Sequence, residues 1–324
     1  MTSMTSGTST RFDWILFVLL SFFWGSSYLF IKIGVEAGLE PFTLVASRLL
    51  FGLLLLGAVV AIAREQLPRE PRMYGHLAVM GLFSVALPFA LITWAEQSVD
   101  SSLAAVLTGA VPLFVIPISA LLLPTEKITV NALLGIAIGL VGVAVVVGFN
   151  PATLAGTDLI PQVALIGAAA SYALGGVYAR RNVQGLRPMI PAMFQVAFAL
   201  VITAIPAILI ERPWEDAIGA DAIFAVIWLG LLGSGAAYLI FFRLLRSWGA
   251  TRTSLVAYLL PIWGIVLGAI VLTEPIDMRL IAGTALVIAG IGLVNMRGSV
   301  QQLWRRRPTT PVPTIPESGS APRP

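Results

Sequence analysis

Arg48 stands alone. From Pro41 to Ala63 it is the single ionisable side chain in a continuous apolar run. If that run is a helix rising about 1.5 Å per residue, Arg48 lies roughly 10 Å from its start and about 5 Å short of the middle of a hydrocarbon core. A guanidinium at that depth costs about 3 kcal/mol or more unless something answers its charge. The candidates are Glu96 or Asp100 near a helix end, freed backbone carbonyls, or the carboxylate of a bound solute. Paired with Glu96, Arg48 would be a latch holding a gate; facing a solute, it would be a ligand.

Two prolines offer the carbonyls. Pro112 and Pro261 each fall in the middle of a long apolar run, and a proline there cannot donate to the carbonyl four residues earlier. Pro112 therefore frees the carbonyl of Thr108, and Pro261 that of Ala257. Two such acceptors facing a wet cavity would suit an ammonium group, although a packing kink satisfied by a serine, threonine or water explains either proline equally well. Trp24, Tyr172, Tyr258 and Trp263 lie at similar depth, with Tyr238 about two turns off centre. Tyrosine hydroxyls need partners in hydrocarbon, so a cavity wall suits these rings; helix packing with the hydroxyl on a carbonyl is the alternative. Ser27, Ser84 and Thr108, with Ser26 and Ser234, are small hydroxyls near the same level. They would bind a carboxylate or bond back to their own helices, and Ser84, in mid-run, is the favoured ligand among them.

The elements that must hold these groups are apolar runs of membrane-crossing length. The chain has 324 residues, 58% hydrophobic and 11% charged, with a mean hydropathy of +0.92. That is too little charge to clothe a soluble domain. Ten runs of about 20 residues are predicted, near 13–34, 41–63, 74–95, 100–123, 129–149, 161–181, 188–210, 221–243, 249–272 and 278–297. The first run is long enough to span and a second follows at once, so no cleavable signal peptide is expected. Zero cysteines exclude disulfides, thiolate metal sites and a cysteine nucleophile, and the single histidine, His76, excludes a multi-histidine metal centre. No cofactor is expected. On this ten-helix ladder, 16 of the 20 Lys and Arg fall on one side and two, Arg212 and Arg279, on the other; Lys32 and Arg48 lie within runs. That asymmetry predicts both termini in the cytoplasm. It also explains the net charge of +4 by topology, without nucleic acid as a partner.

The runs come in two sets. Offsets of 147 to 149 place Trp24 on Tyr172, Pro41 on Pro188, Arg48 on Gln195, Gly81 on Gly230, Pro112 on Pro261, Glu126 on Glu274, Gly135 on Gly283 and Gly142 on Gly290. Each half holds five helices, and an odd number sends the second half through the membrane upside down. Gln195 at the mate of Arg48 favours the latch. Gly135 and Gly139 in the fifth run, echoed by Gly283 and Gly290 in the tenth, are small faces that either join the halves or build a dimer. Monomer and homodimer both remain open.

Trp24-Gly25-Ser26-Ser27, Ser47-Arg48 and the paired endings Pro112 to Glu126 and Pro261 to Glu274 resemble the drug/metabolite transporter superfamily, specifically its ten-helix EamA-type bacterial exporters. The resemblance covers roughly residues 13–297. It implies an all-α integral membrane protein of two inverted five-helix repeats, 13–149 and 161–297. A periplasmic linker at 150–160 joins them, and a disordered 1–12 and a largely disordered cytoplasmic tail at 298–324 flank them. It also implies a bacterial inner-membrane exporter of amino acids or similar small metabolites, aromatic ones among them, working by alternating access around a cavity between the halves. Glu96, Asp100, Glu126 and Glu274 all fall at helix ends. The lack of a mid-membrane acid argues for a facilitator over a proton-coupled multidrug or purine carrier. Glu126 and Glu274 are expected to cap or pair at helix ends, for example with Lys127 and Arg279. A membrane enzyme would need a partner for His76 that the sequence does not supply, and a sensor would need a signalling domain.

Overall fold

The computed structural model describes residues 11–123, 128–148, 159–215 and 218–295, and all secondary structure among them is helical. Among the described residues nine helices are long and apolar enough to cross a membrane: α1 Arg11–Glu36, α2 Pro41–Ile62, α3 Pro71–Ala95, α4 Ser101–Leu122, α5 Val130–Val147, α6 Leu159–Asn182, α7 Met189–Glu211, α8 Ala220–Trp248 and α9 Ser254–Val271. A tenth, α10, runs Met278–Asn295. The start signals are local. Pro41 and Pro71 occupy first-turn positions, where a missing N–H costs nothing. Thr129 caps α5 by accepting from the Ala132 N–H at 3.2 Å. At the other end of α5, Gly148 takes φ +74°, a left-handed stop that a side chain would strain.

Helices pack mainly across the two halves. α1 packs on α8 and α9, and its repeat mate α6 packs on α3 and α4. α2 packs on α7 and α8, and its mate α7 packs on α2 and α3. The remaining pairs are self-related, α4 on α9 and α5 on α10. Single residues keep the same relation. A Cβ on Gly81 would lie 2.8 Å from the Gln195 carbonyl oxygen, and one on Gly230 would lie 2.7 Å from that of Arg48. Since Gly81 mates with Gly230 and Gln195 with Arg48, the two crossings are one contact made twice.

The glycine faces join the halves. Cβ atoms on Gly135 and Gly290 would each sit 2.6 Å from the other's carbonyl oxygen, and the Gly142–Gly283 pair shows the same at 2.8 Å. Only hydrogen at these positions lets the α5 and α10 backbones touch. Outward faces carry large exposed apolar side chains such as Ile62, Leu121, Ile210 and Ile270, the surface a bilayer requires.

Both proline runs break where the sequence expects. α4 is two helical segments, Ser101–Gly109 and Val111–Leu122, with Ala110 between them and Pro112 in the first turn of the second. α9 opens as a 3-10 turn over Ser254–Tyr258 and resumes as Leu260–Val271, with Pro261 in its first turn. The two breaks meet: a Cβ on Gly109 would lie 2.9 Å from the Pro261 ring. A second irregularity was not visible in the sequence. α3 widens to a π-helix over Leu82–Ala86 and α8 over Trp228–Ala236, at repeat-related positions. π segments loosen the backbone ladder and recur at functional sites.

Candidate functional site

Arg48 is the centre on which α1, α2, α3, α6 and α8 converge. It is 2% exposed. Its guanidinium lies over the ring of Phe89 in α3, 4.2 Å from the centroid, and its Nε has no hydrogen-bond partner among the described residues. On the α8 side the π segment brings Gly233 so close that a Cβ there would be 3.4 Å from Nη2. Tyr28, Tyr172, Tyr238 and Glu96 lie within electrostatic range of the charge. Rings complete the wall. Tyr172 meets Phe89 edge-on at 6.4 Å, and Trp24 meets Tyr238 at 6.2 Å and Phe241 at 5.4 Å. The negative face of an aromatic ring attracts a buried cation and offsets part of its desolvation cost.

The Arg48–Glu96 ion pair expected of a latch is not formed among the described residues. The charge rests on Phe89 instead. Glu96 does terminate α3, as the sequence suggests, but it is not a solvated end residue. It is 0% exposed and neither carboxylate oxygen has a hydrogen-bond partner among the described residues. Glu96 thus falls at a helix end, as expected, yet is buried in protein, so an end position does not by itself favour a facilitator. The Glu96 side chain is enclosed by protein, with Lys32, Glu274, Arg48 and Tyr28 the charged and titratable groups near it.

The other expected site residues divide. Thr108 is buried; its hydroxyl donates to the Ala104 carbonyl at 2.5 Å and shares a 2.6 Å hydrogen bond with the Tyr28 hydroxyl. Ser27 bonds back to the Phe23 carbonyl at 3.0 Å. Ser84 lies in the α3 π segment against Gly175 of α6, less than a turn from Tyr172. Pro112 and Pro261 frame the meeting of the breaks, and Tyr258 packs against the main apolar core. Trp263 faces a different surface of α1: it covers Gly25 and donates from Nε1 to Ser21 at 3.0 Å. Tyr28 and Phe89 are the residues that sequence reasoning missed. The mid-helix argument that selected Tyr172 also applies to Tyr28, one turn beyond Trp24, whereas nothing in sequence marks one phenylalanine among 16.

The two ends of the bundle differ. At the end rich in arginine, a cavity of ≈ 400 Å³ opens between α2, α7 and α8, lined by Glu65, Arg187, Leu239, Phe242, Arg243 and Arg246 among others. Phe242 stacks on Tyr238 at 6.3 Å, so aromatic contact runs unbroken from this cavity to the Arg48 wall. The opposite end is tied shut. Glu211, ending α7, accepts from the N–H groups of Phe42 and Thr43 at 2.9 and 2.6 Å and from the Thr43 hydroxyl at 2.7 Å. Glu274, after α9, accepts from the N–H groups of Ser101 and Ser102 at 2.7 and 2.9 Å. It thus caps α4, the first of the two outcomes expected of it, and the partner is a helix start and not Arg279; Glu126 and Lys127 lie outside the described residues. Lys32 donates to the carbonyls of Glu96 and Val99 at 2.9 and 3.1 Å. Asp100, exposed just ahead of α4, stands beside this group, its carboxyl raised above the usual range by partial desolvation and then by Glu274. His76 is paired with the Tyr178 hydroxyl at 2.8 Å.

A bundle of apolar helices in two related halves, open at one end and closed at the other around a buried charge, defines a multi-pass membrane transporter. The chain belongs to the EamA-like transporter family, whose model matches residues 12–148 and 159–296. The inner membrane transporter YedA of Escherichia coli K12 is 31% identical over 248 residues, 76% of this chain and 78% of that protein. A transporter of Archaeoglobus fulgidus is 26% identical over 284 residues, 87% of this chain and 98% of its own. A probable amino-acid metabolite efflux pump of Salmonella typhimurium is 25% identical over 301 residues, 89% of this chain and 96% of its own. One solved crystal structure shares the fold with a TM-score of 0.63 at 20% identity, covering 92% of this chain and 99% of that one. The family and these relatives are transporters and not enzymes.

Proposed function

We propose that the protein exports amino acids or similar small zwitterionic metabolites across a bacterial inner membrane. The arginine-rich end faces the cytoplasm, and the two inverted halves rock around the Arg48 site. The observation that carries this reading is a buried guanidinium that makes no ion pair among the described residues, walled by Trp24, Phe89, Tyr172 and Tyr238 and joined by aromatic contacts to the cavity at the arginine-rich end. A guanidinium fork is the side chain best shaped for a carboxylate, and Arg48 thereby becomes a ligand and not a latch. The rings suit the apolar body of an aliphatic or aromatic solute. Thr108 and the carbonyls freed by Pro112 and Pro261, with Tyr258 at the second break, supply acceptors for an ammonium. Ser27 and Ser84 line neighbouring helix contacts, and Trp263 steadies α1 against α9. The amino-acid part draws support from the name of the Salmonella relative.

Thermal unfolding of the purified protein against amino acids, purines and cationic drugs tests the substrate class. A ligand present at ~100 times its Kd adds about 2.7 kcal/mol to stability. Stabilisation by an amino acid, and not by its amide or by purines and cations, is the expected result. Stabilisation confined to purines or cationic drugs would contradict it.

A further inference from the structure

A fully buried carboxyl with no donor on either oxygen is an unstable place for a negative charge, and among the described residues Glu96 is one. Lys32 pulls against this but makes no ion pair with the Glu96 carboxyl among the described residues. Lys32 is committed to two main-chain carbonyls, with Glu36 a further 3.8 Å contact. The other charged and titratable groups that face Glu96 are Tyr28 on α1, Arg48 on α2 and Glu274 beyond α9. Burial drives the Glu96 carboxyl well above the ordinary carboxylate range and Glu274 pushes it the same way, against the opposite pull of Lys32 and Arg48. Geometry says what that charge would disturb. Glu274 holds the first turn of α4 by two hydrogen bonds, and it is one of the ties that shut this end.

We propose that Glu96 is a proton-binding site coupled to closure of the acidic end of the bundle: the closed arrangement holds the neutral acid, and ionisation of Glu96 favours opening. The proton comes from water at that end. As the end closes, Glu96 leaves water and takes up one proton; as it opens, the carboxylate is solvated and the proton returns to water. The closed form thus binds more protons than the open form. It is favoured as pH falls and lost as pH rises through the closed-state pKa. The inference takes from the proposed function only that this end opens and closes.

The chain has no cysteine, which permits a direct test. Ser102 is 3% exposed beneath the Glu274 cap, and Ile218, at the same end, is 48% exposed. A Ser102→Cys reporter in the full-length protein is labelled with a maleimide across a pH series. Its rate is divided by that of an Ile218→Cys control, which removes the thiol's own titration. The normalised rate is expected to rise about tenfold per pH unit between the open- and closed-state pKa values. Glu96→Gln, which mimics the neutral acid, is expected to hold the reporter at its low rate throughout. Glu96→Asp serves if the glutamine variant fails to fold, and it is expected to move the midpoint. A flat wild-type profile, an unchanged pH dependence in Glu96→Gln, or an unmoved midpoint in Glu96→Asp overturns the proposal. No transported solute is needed, so failure here leaves the proposed substrate class standing, and failure of the ligand panel leaves this test intact.

Discussion

The guanidinium of Arg48 lies 4.2 Å from the centre of the Phe89 ring, and among the described residues it makes no ion pair with Glu96. A charge held by a ring remains open to a carboxylate, whereas a charge held by a carboxylate does not. Desolvated cation–π contacts are worth about 2 kcal/mol. Phe89→Leu is therefore expected to lower stability by about 2 to 3 kcal/mol, packing loss included, and Phe89→Tyr by less. Denaturant unfolding in detergent measures both. In an Arg48→Ala background the Phe89→Leu cost should shrink, since the ring then answers no charge. An undiminished cost would make Phe89 a packing residue only.

Gly290 and Gly292 are two residues apart on α10 and should respond in opposite directions. A Cβ on Gly290 would meet the α5 backbone at 2.6 Å, while one on Gly292 meets nothing within 4 Å. Gly290→Ala is expected to cost about 1 to 3 kcal/mol by overpacking. Gly292→Ala is expected to be neutral or to gain up to about 1 kcal/mol from helix propensity. Thermal unfolding of the two variants compares them directly, and equal effects would remove the seam from the account.

Glu211 ties the start of α2 to the end of α7 through three hydrogen bonds. Glu211→Ala should cost about 1 to 2 kcal/mol, the value of a helix cap. Thr43→Val, which spares both main-chain donors, should cost less. If Thr43→Val is the more damaging in the same unfolding assay, the hydroxyl and not the cap carries the tie.

Ten spans, the break at each central proline and the five-plus-five order were legible because each rests on local chemistry: apolar length, the missing proline N–H and the odd number of runs. The small-residue faces were legible too, but not their partner. Gly135 announces a close approach, and only the fold shows that Gly290 makes it. Long-range pairings were the weak point. Glu96 sits at a helix end, and such ends normally reach water; this one is fully buried. Carboxylates and freed carbonyls are the partners that sequence offers Arg48, because oxygen acceptors are the familiar remedy for a buried cation, while the contact made is with Phe89, which nothing in the sequence marks.

The central claim is that Arg48 binds the carboxylate of an exported solute. The measurement that tests it most directly is counterflow of labelled amino acids into reconstituted vesicles, run in parallel for wild type, Arg48→Ala and Arg48→Lys at equal folded protein. The account predicts flux of at least one amino acid above empty vesicles and a loss of at least ~10-fold in Arg48→Ala, the loss of one charge-assisted hydrogen bond or more. Arg48→Lys should be partly impaired, and the amide of the same amino acid a poor substrate throughout. Flux unaltered by Arg48→Ala, or no flux of any amino acid by the wild-type protein, would contradict it.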